Sequence, residues 1–294
     1  MINMHNFSRV SRELLRALAL MVFVVPVFGQ GAAIQPCQAT PTPAKSAPQK
    51  VSERASLLPV DASVPTDKDV EKMLAPYSEK VNELSKVIGR LESNLSKKGV
   101  GGGSLGYFVT NGIRAQAEAK LGKPVTLAVM NVGGLRKNEI SAGELRASDI
   151  FELLPFENAL VALEMTGTQL SQLLQVVPRD AQAGARIQFK WNDRDRAEFI
   201  SGKLIDANGK EQDVDPDKLY TVVTIDYLLH VGGGPYAILK EAKSATPLNM
   251  TLRDAIMNYV KSETAAGRPI RSIVDDRFVQ IGPGPKKTET ETPR

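Results

Sequence analysis

Apolar residues recur at Val70, Leu74, Tyr77, Val81, Leu84 and Ile88. Steps of three and four residues put them on one face of a helix, so an amphipathic helix is expected there. Thr66 is available as its N-cap, and Asp67, Asp69 and Glu71 sit in the first turn, where the helix dipole favours acids. Pro76 is positioned to bend it. A single apolar stripe needs a partner surface, and the downstream domain is the nearest one. A coiled coil fits less well because the repeat weakens at Gly89. The stretch Arg90–Leu95 reads equally as helix or strand, and Gly99–Gly103 predicts a flexible break.

Beyond the glycines, the spacing predicts a helix over Leu105–Lys120 and a buried strand over Val125–Asn131. A short helix capped at Ser148-Asp149 runs to Leu154, and a strand covers Leu160–Met165. Thr166-Gly167-Thr168 opens a helix to Val176. Strands follow at Arg186–Trp191 and Glu198–Ile205, with Asp206–Gly209 as a hairpin turn. Tyr220–Thr224 is a further strand, then a helix at Thr251–Ala266 and a last strand at Arg277–Ile281. Helices and strands mix without strict alternation. The expected class is α+β, a mixed sheet with flanking helices preceded by the long first helix.

The ends of the chain read differently. Arg9, Arg12 and Arg16 precede an apolar run from Ala17 to Val25 that closes near Gly29. A basic start, a short apolar core and small residues at its end predict a signal peptide over 1–29. Its core is shorter than the about 20 residues that span a bilayer, so no stable membrane span is expected after cleavage. The rest is expected to be exported, periplasmic or secreted. Residues 30–66 are rich in Pro, Ala and Thr and read as a disordered tether, 67–98 as the long-helix region, 99–282 as the folded domain and 283–294 as a disordered tail. Cys37 is the only cysteine, so no intrachain disulfide can form. Net charge is +4, half of it from the signal segment, and no basic stripe with interleaved aromatics is present, so no nucleic-acid partner is expected.

Candidate chemistry narrows the picture further. His5 and His230 are the only histidines, too few for a two-metal hydrolase centre, so no metal or other cofactor is expected in this chain. Neither a nucleophile elbow nor a phosphate-binding P-loop is expected. One stretch does gather ligand-type groups. Asn131, Gly133-Gly134 and Arg136 follow the first buried strand, with Phe156 and Asn158 close behind. A second glycine run, Gly232-Gly233-Gly234, follows Tyr227. Glycine pairs after strands are more often plain tight turns than ligand loops. The two aromatics fit a stacking site and core packing equally.

Taken in order, Asn131-x-Gly133-Gly134-Leu135-Arg136, Leu154-Pro155-Phe156-Glu157-Asn158, Thr166-Gly167 and Tyr220-Thr-Val-Val-Thr leading to Gly232-Gly233 resemble the C-terminal, substrate-binding domain of the 5′-nucleotidase family. The likeness spans about Asp69 to Ile281. It implies a domain that follows an N-terminal metallophosphatase domain and a bridging helix, and that clamps a nucleotide base between two aromatics. Phe156 matches the first aromatic and Tyr227 stands where the family usually has its second, a Phe. Arg136 matches a ligand-binding arginine. Asn131 and Asn158 match amide positions, and Gly133, Gly134 and Gly233 match the glycine loops. The chain departs from the pattern in three places. Signal and tether stand in place of the metallophosphatase domain. Gly234 replaces the family's ribose-gripping Asp. The arginines ahead of the first domain helix are glycines here, with Lys97 and Lys98 the nearest cations. The resemblance therefore implies an exported nucleotide- or nucleoside-binding domain. Catalysis, and the divalent metals it uses, would come from a separately encoded metallophosphatase subunit. The alternatives are a stand-alone nucleoside-binding module and a degenerate domain that binds nothing.

Overall fold

The computed structural model describes residues 61, 63–206, 208–230, 234–271, 273 and 275–286. The expected signal peptide, nearly all of the expected tether and positions 287–294 of the expected tail lie outside the described residues. The first helix, α1, spans Lys68–Leu84 and is capped by Asp67, not Thr66. The Asp67 carboxylate accepts from the amides of Asp69 and Val70 at 2.9 and 3.2 Å, filling two of the donors that a helix start leaves open. The helix runs on through Pro76. Ile88, counted in its stripe, instead belongs to strand β1 (Val87–Leu91), which pairs antiparallel with β5 (Gly143–Arg146).

The expected packing of α1 on the domain does not occur. None of its residues is buried, and Val70, Met73, Leu74, Tyr77 and Val81 are 45–63% exposed. The reason is the turn at its end. Ser85 and Lys86 are held by β5 and the following helix, with Arg146 Nη1 donating to Ser85 O at 2.8 Å and Ala147 N to Lys86 O at 3.0 Å. The domain thus grips the C-terminal end of α1 and leaves its face open. The ambiguous 90–95 stretch is not helical: it ends β1, bends at Glu92-Ser93 and enters β2 (Leu95–Ser96), which pairs with β4 (Glu139–Ile140).

Gly99–Gly103, expected to be flexible, is tightly packed. Gly101 has φ 70° and a Cβ there would sit 2.3 Å from Phe278 Cε2; Gly103 has φ 56° and its Cβ would sit 2.3 Å from Lys98 O. Only glycine accepts that backbone at that distance from its neighbours. The loop leads into α2 (Gly103–Leu121), whose first ten residues are all buried except Asn111.

A five-stranded mixed sheet forms the centre, in the order β12 (Ser244–Thr251), β6 (Ala159–Thr166), β11 (Leu219–Ile225), β3 (Leu127–Met130) and β7 (Ala181–Ala183). β3 and β11 run parallel and the other pairs antiparallel. Every residue of β3 is buried, as its uninterrupted apolar run requires of a strand covered on both faces. β12 was not foreseen because it is polar and carries Pro247, which an edge strand tolerates. A second sheet runs β10 (Glu211–Gln212), β9 (Ala197–Ile205), β8 (Ala185–Trp191), β13 (Phe278–Gln280). Residues 283–286, expected within a disordered tail, lie beside its β8–β9 turn: Lys286 N donates to Asp195 Oδ1 at 2.7 Å and Lys286 Nζ pairs with Asp193 at 2.8 Å.

The remaining helices are α3 (Ala147–Leu153), α4 (Gly167–Val176), α5 (Asp226–His230) and α6 (Leu252–Ala265). α4 starts at the predicted Thr166, which forms a reciprocal cap with Gln169. α3 starts two residues earlier than expected, from Arg146, whose amide donates to Asp149 Oδ2 at 2.9 Å. α2 and α6 meet through Phe108 and Tyr259, ring centroids 6.0 Å apart. Mixed sheets with flanking helices make this an α+β fold. No described helix is long and apolar enough to cross a membrane.

Candidate ligand-binding site

Two loops and the short helix α5, at one end of the central sheet, build one cleft. The first leaves β3 at Asn131 and turns through Val132–Gly134, closed by Gly134 N donating to Asn131 O at 3.0 Å. Neither Gly133 nor Gly134 has a left-handed φ, so the backbone does not require glycine at either. A Cβ on Gly133 would instead stand 3.4 Å from Asn131 Nδ2, and one on Gly134 would press on Met130 Cε at 3.2 Å. Glycine here keeps the space beside the Asn131 amide clear. Arg136 follows, its backbone amide bound to Leu153 O at 2.9 Å. Its guanidinium stands 5.4 Å from the centre of the Phe156 ring and donates to Gly133 O at 3.4 Å.

The cleft measures about 340 Å³ and is lined by Asn131, Gly133, Gly134, Arg136, Phe156, Asn158 and Tyr227. Seven of the eight residues singled out in the sequence therefore share one cavity; the eighth, Gly233, lies outside the described residues. Phe156 and Tyr227 are 44% and 46% exposed, which answers the core-packing alternative for both rings. Asn131 Oδ1 is buried with no hydrogen-bond partner among the described residues. An unpaired buried acceptor costs about 1–3 kcal/mol, and the fold bears it in a residue that lines the cleft.

Three further residues fix these loops, and sequence reasoning missed them. Arg253, on α6, is buried beneath the Phe156 loop. It donates to Leu154 O at 3.1 Å and to Glu157 Oε1 at 2.7 Å, and lies 4.2 Å from the Phe151 ring centre. An arginine on a helix turn with Leu252, Ala255 and Ile256 was the available signal. Asp226, next to Tyr227, accepts from Ala159 N at 3.1 Å and so ties the Tyr227 helix to the Asn158 loop. Asp180 accepts from Val132 N at 2.8 Å and from the Tyr236 hydroxyl, joining the first glycine turn to the segment after the second. Burial raises the Asp180 pKa above its ordinary carboxylate value, against the pull of these two hydrogen bonds and of Arg179. Tyr236 is raised too, by burial and by the Asp180 charge.

Other candidate chemistry resolves as structure. Contrary to expectation, Gly102-Gly103-Ser104-Leu105-Gly106 does have the spacing of a nucleophile elbow. Ser104 is 6% exposed, however, and its hydroxyl accepts from Ser96 N at 2.9 Å. No histidine stands beside it among its hydrogen-bond partners, so it ties α2 to β2. Lys97 donates to Leu135 O at 2.7 Å, and neither it nor Lys98 lines the cleft. His230 contacts Asp226 O within its own helix at 2.8 Å. Among the described residues no three His, Cys, Asp or Glu side chains gather as a metal ion requires. The donor set does not fit a two-metal centre.

Comparison with known proteins agrees with this fold. The family model described as "5′-nucleotidase, C-terminal domain" matches residues 85–241. Protein UshA of Escherichia coli is 27% identical over 192 residues, 62% of this chain and 32% of its own length. The trifunctional nucleotide phosphoesterase protein YfkN of Bacillus subtilis is 23% identical over 187 residues, 60% of this chain and 12% of its own. The chain thus spans at most a third of either relative. Among solved structures, a 5′-nucleotidase precursor from Thermus thermophilus superposes with a TM-score of 0.60 at 22% identity, covering 75% of this chain and 45% of that one. The Haemophilus influenzae NAD nucleotidase superposes at 0.52 and 19% identity, covering 74% and 42%. At these identities the superpositions speak for the fold.

Proposed function

We propose, for a chain that belongs to the 5′-nucleotidase family through its C-terminal domain, that it binds a nucleotide or nucleoside and leaves hydrolysis to a separate metallophosphatase subunit. The observation that carries this reading is the meeting of Asn131, Arg136, Phe156, Asn158 and Tyr227, from three stretches of sequence, on one cleft. In this account the rings of Phe156 and Tyr227 hold the base, which is worth about 1–3 kcal/mol per stacked base. The Arg136 guanidinium already covers one face of Phe156, leaving the other face for the guest. The open Asn131 Oδ1 takes a donor from the base or sugar. Arg136 and the Gly133-Gly134 amides hold the polar end, where an arginine pairs well with anionic oxygen. Divalent metals and the attacking water belong to the partner in this account. Export to the periplasm or outside follows in this reading from the basic and apolar pattern of residues 9–29.

The test of the division of labour is simple. Purified chain is incubated with AMP and manganese or magnesium, with and without a chelator, and released phosphate is measured. No release above the blank is expected in either case. Release that the chelator abolishes would place the catalytic centre in this chain and overturn the reading. A stand-alone nucleoside-binding module is the second reading, favoured at one point by Gly234, which offers no carboxylate to a ribose. It differs in requiring no catalytic partner.

A further inference from the structure

The turn that builds the first cleft also borders a second. Val132, flanked by Asn131 and Gly133, lines a separate cavity of about 430 Å³ with the 99–102 loop, Pro178, Arg179, Trp191 and Arg196. Both arginines are exposed, and neither guanidinium has a hydrogen bond or ion pair among the described residues. Acids of the β8–β9 hairpin are engaged by lysines. Asp193 pairs with Lys286 at 2.8 Å, Glu198 pairs with Lys190 at 3.5 Å, and Asp195 accepts from Lys286 N at 2.7 Å. The acid beside Arg179 is Asp180, whose two oxygens are already taken by Val132 N and the Tyr236 hydroxyl. The wall is fixed as well. Trp191 donates from Nε1 to Gln280 Oε1 at 3.0 Å and stands edge-on to Phe189, centroids 5.7 Å apart.

Two exposed guanidiniums on one concave surface, neither in an ion pair among the described residues, beside a pinned indole, suit an anion. A guanidinium presents paired donors that match the oxygens of a phosphate. We propose that this second cleft binds a phosphate-bearing anion, with Arg179 and Arg196 holding the phosphate and Trp191 and Val132 forming the wall. The site is separate from the nucleoside cleft and does not depend on what that cleft binds.

The chain contains a single tryptophan, so its fluorescence reports on this cleft alone. Full-length protein is titrated with pyrophosphate at low ionic strength, following both Trp191 emission and calorimetric heat, with chloride matched for ionic strength as control. A saturating change is expected with pyrophosphate and not with chloride. The pair Arg179→Gln and Arg196→Gln should raise the midpoint about tenfold or more, and each single variant should fall between. Arg136→Gln and Phe156→Ala, which alter only the first cleft, should leave it within about twofold. Circular dichroism confirms that each variant is folded; should the pair unfold, the single variants decide. A titration flat in both signals, or a midpoint unchanged by the folded arginine variants, overturns the proposal. A midpoint moved as far by Arg136→Gln as by the arginine pair also overturns it, by assigning the phosphate to the first cleft.

Discussion

Asp180 holds the geometry of the candidate site while opposing its own ionisation. Its raised pKa means that, between the ordinary 3.8 and its folded value, the folded state binds more protons than the unfolded one. Stability from this group is therefore full below 3.8 and falls as pH rises through the folded pKa. Asp275 works the other way, since its bond to Arg277 lowers its pKa despite burial. Comparison with Asp180→Asn cancels that and every other shared group. Urea unfolding across the acid range should find the stability difference moving against the wild type as pH rises, then levelling; a difference constant with pH contradicts this. Arg253→Met should cost about 1–3 kcal/mol in the same assay, because it leaves Leu154 O buried without its donor. It should also weaken ligand binding by loosening the Phe156 loop. The residues that face the cleft were legible from local motifs, each within a few positions of a glycine pair or a loop aromatic. Asp180 and Arg253 were not, because their partners lie 48 to 99 positions away.

Elements with local signatures were read well: the Thr166 cap, the strands β8 and β9, the Asp206 turn and the apolar strands β3 and β11. Two-residue strands such as β2, β4 and β10 have no periodicity to detect. The Gly99–Gly103 loop was misread for a different reason. Glycine content reveals permitted backbone freedom, and only the fold reveals that Phe278 and Lys98 use it up. Helix α1 was misread because a stripe predicts that a partner surface exists, and not which one. Its exposure sets a clear expectation. Leu74→Ala and Tyr77→Ala should each change the unfolding free energy by under about 0.5 kcal/mol, as surface substitutions do. Ile113→Ala in the buried α2 should cost about 2–5 kcal/mol. Denaturant melts of the three variants separate these cases, and a large loss from either α1 variant would mean the helix packs on the domain after all.

The molecule as a whole carries the C-terminal domain of the 5′-nucleotidase family. Its α+β fold is the one expected of that domain, and among the described residues no three His, Cys, Asp or Glu side chains gather as a metal ion requires. Most of the fold class was legible in hydrophobic spacing and in the order of a few motifs. The second, arginine-lined cleft was not, because Val132, Arg179, Trp191 and Arg196 come from segments with no motif in common. The central claim is that the cavity between Phe156 and Tyr227 holds a nucleoside base, and calorimetric titration with adenosine tests it most directly. Saturable heat is expected from the wild-type chain, with affinity lower by about tenfold or more in Phe156→Ala and in Tyr227→Ala, as loss of one stacking face predicts. A folded wild-type chain that gives no saturable heat, or alanine variants that bind as well as it does, would contradict the account.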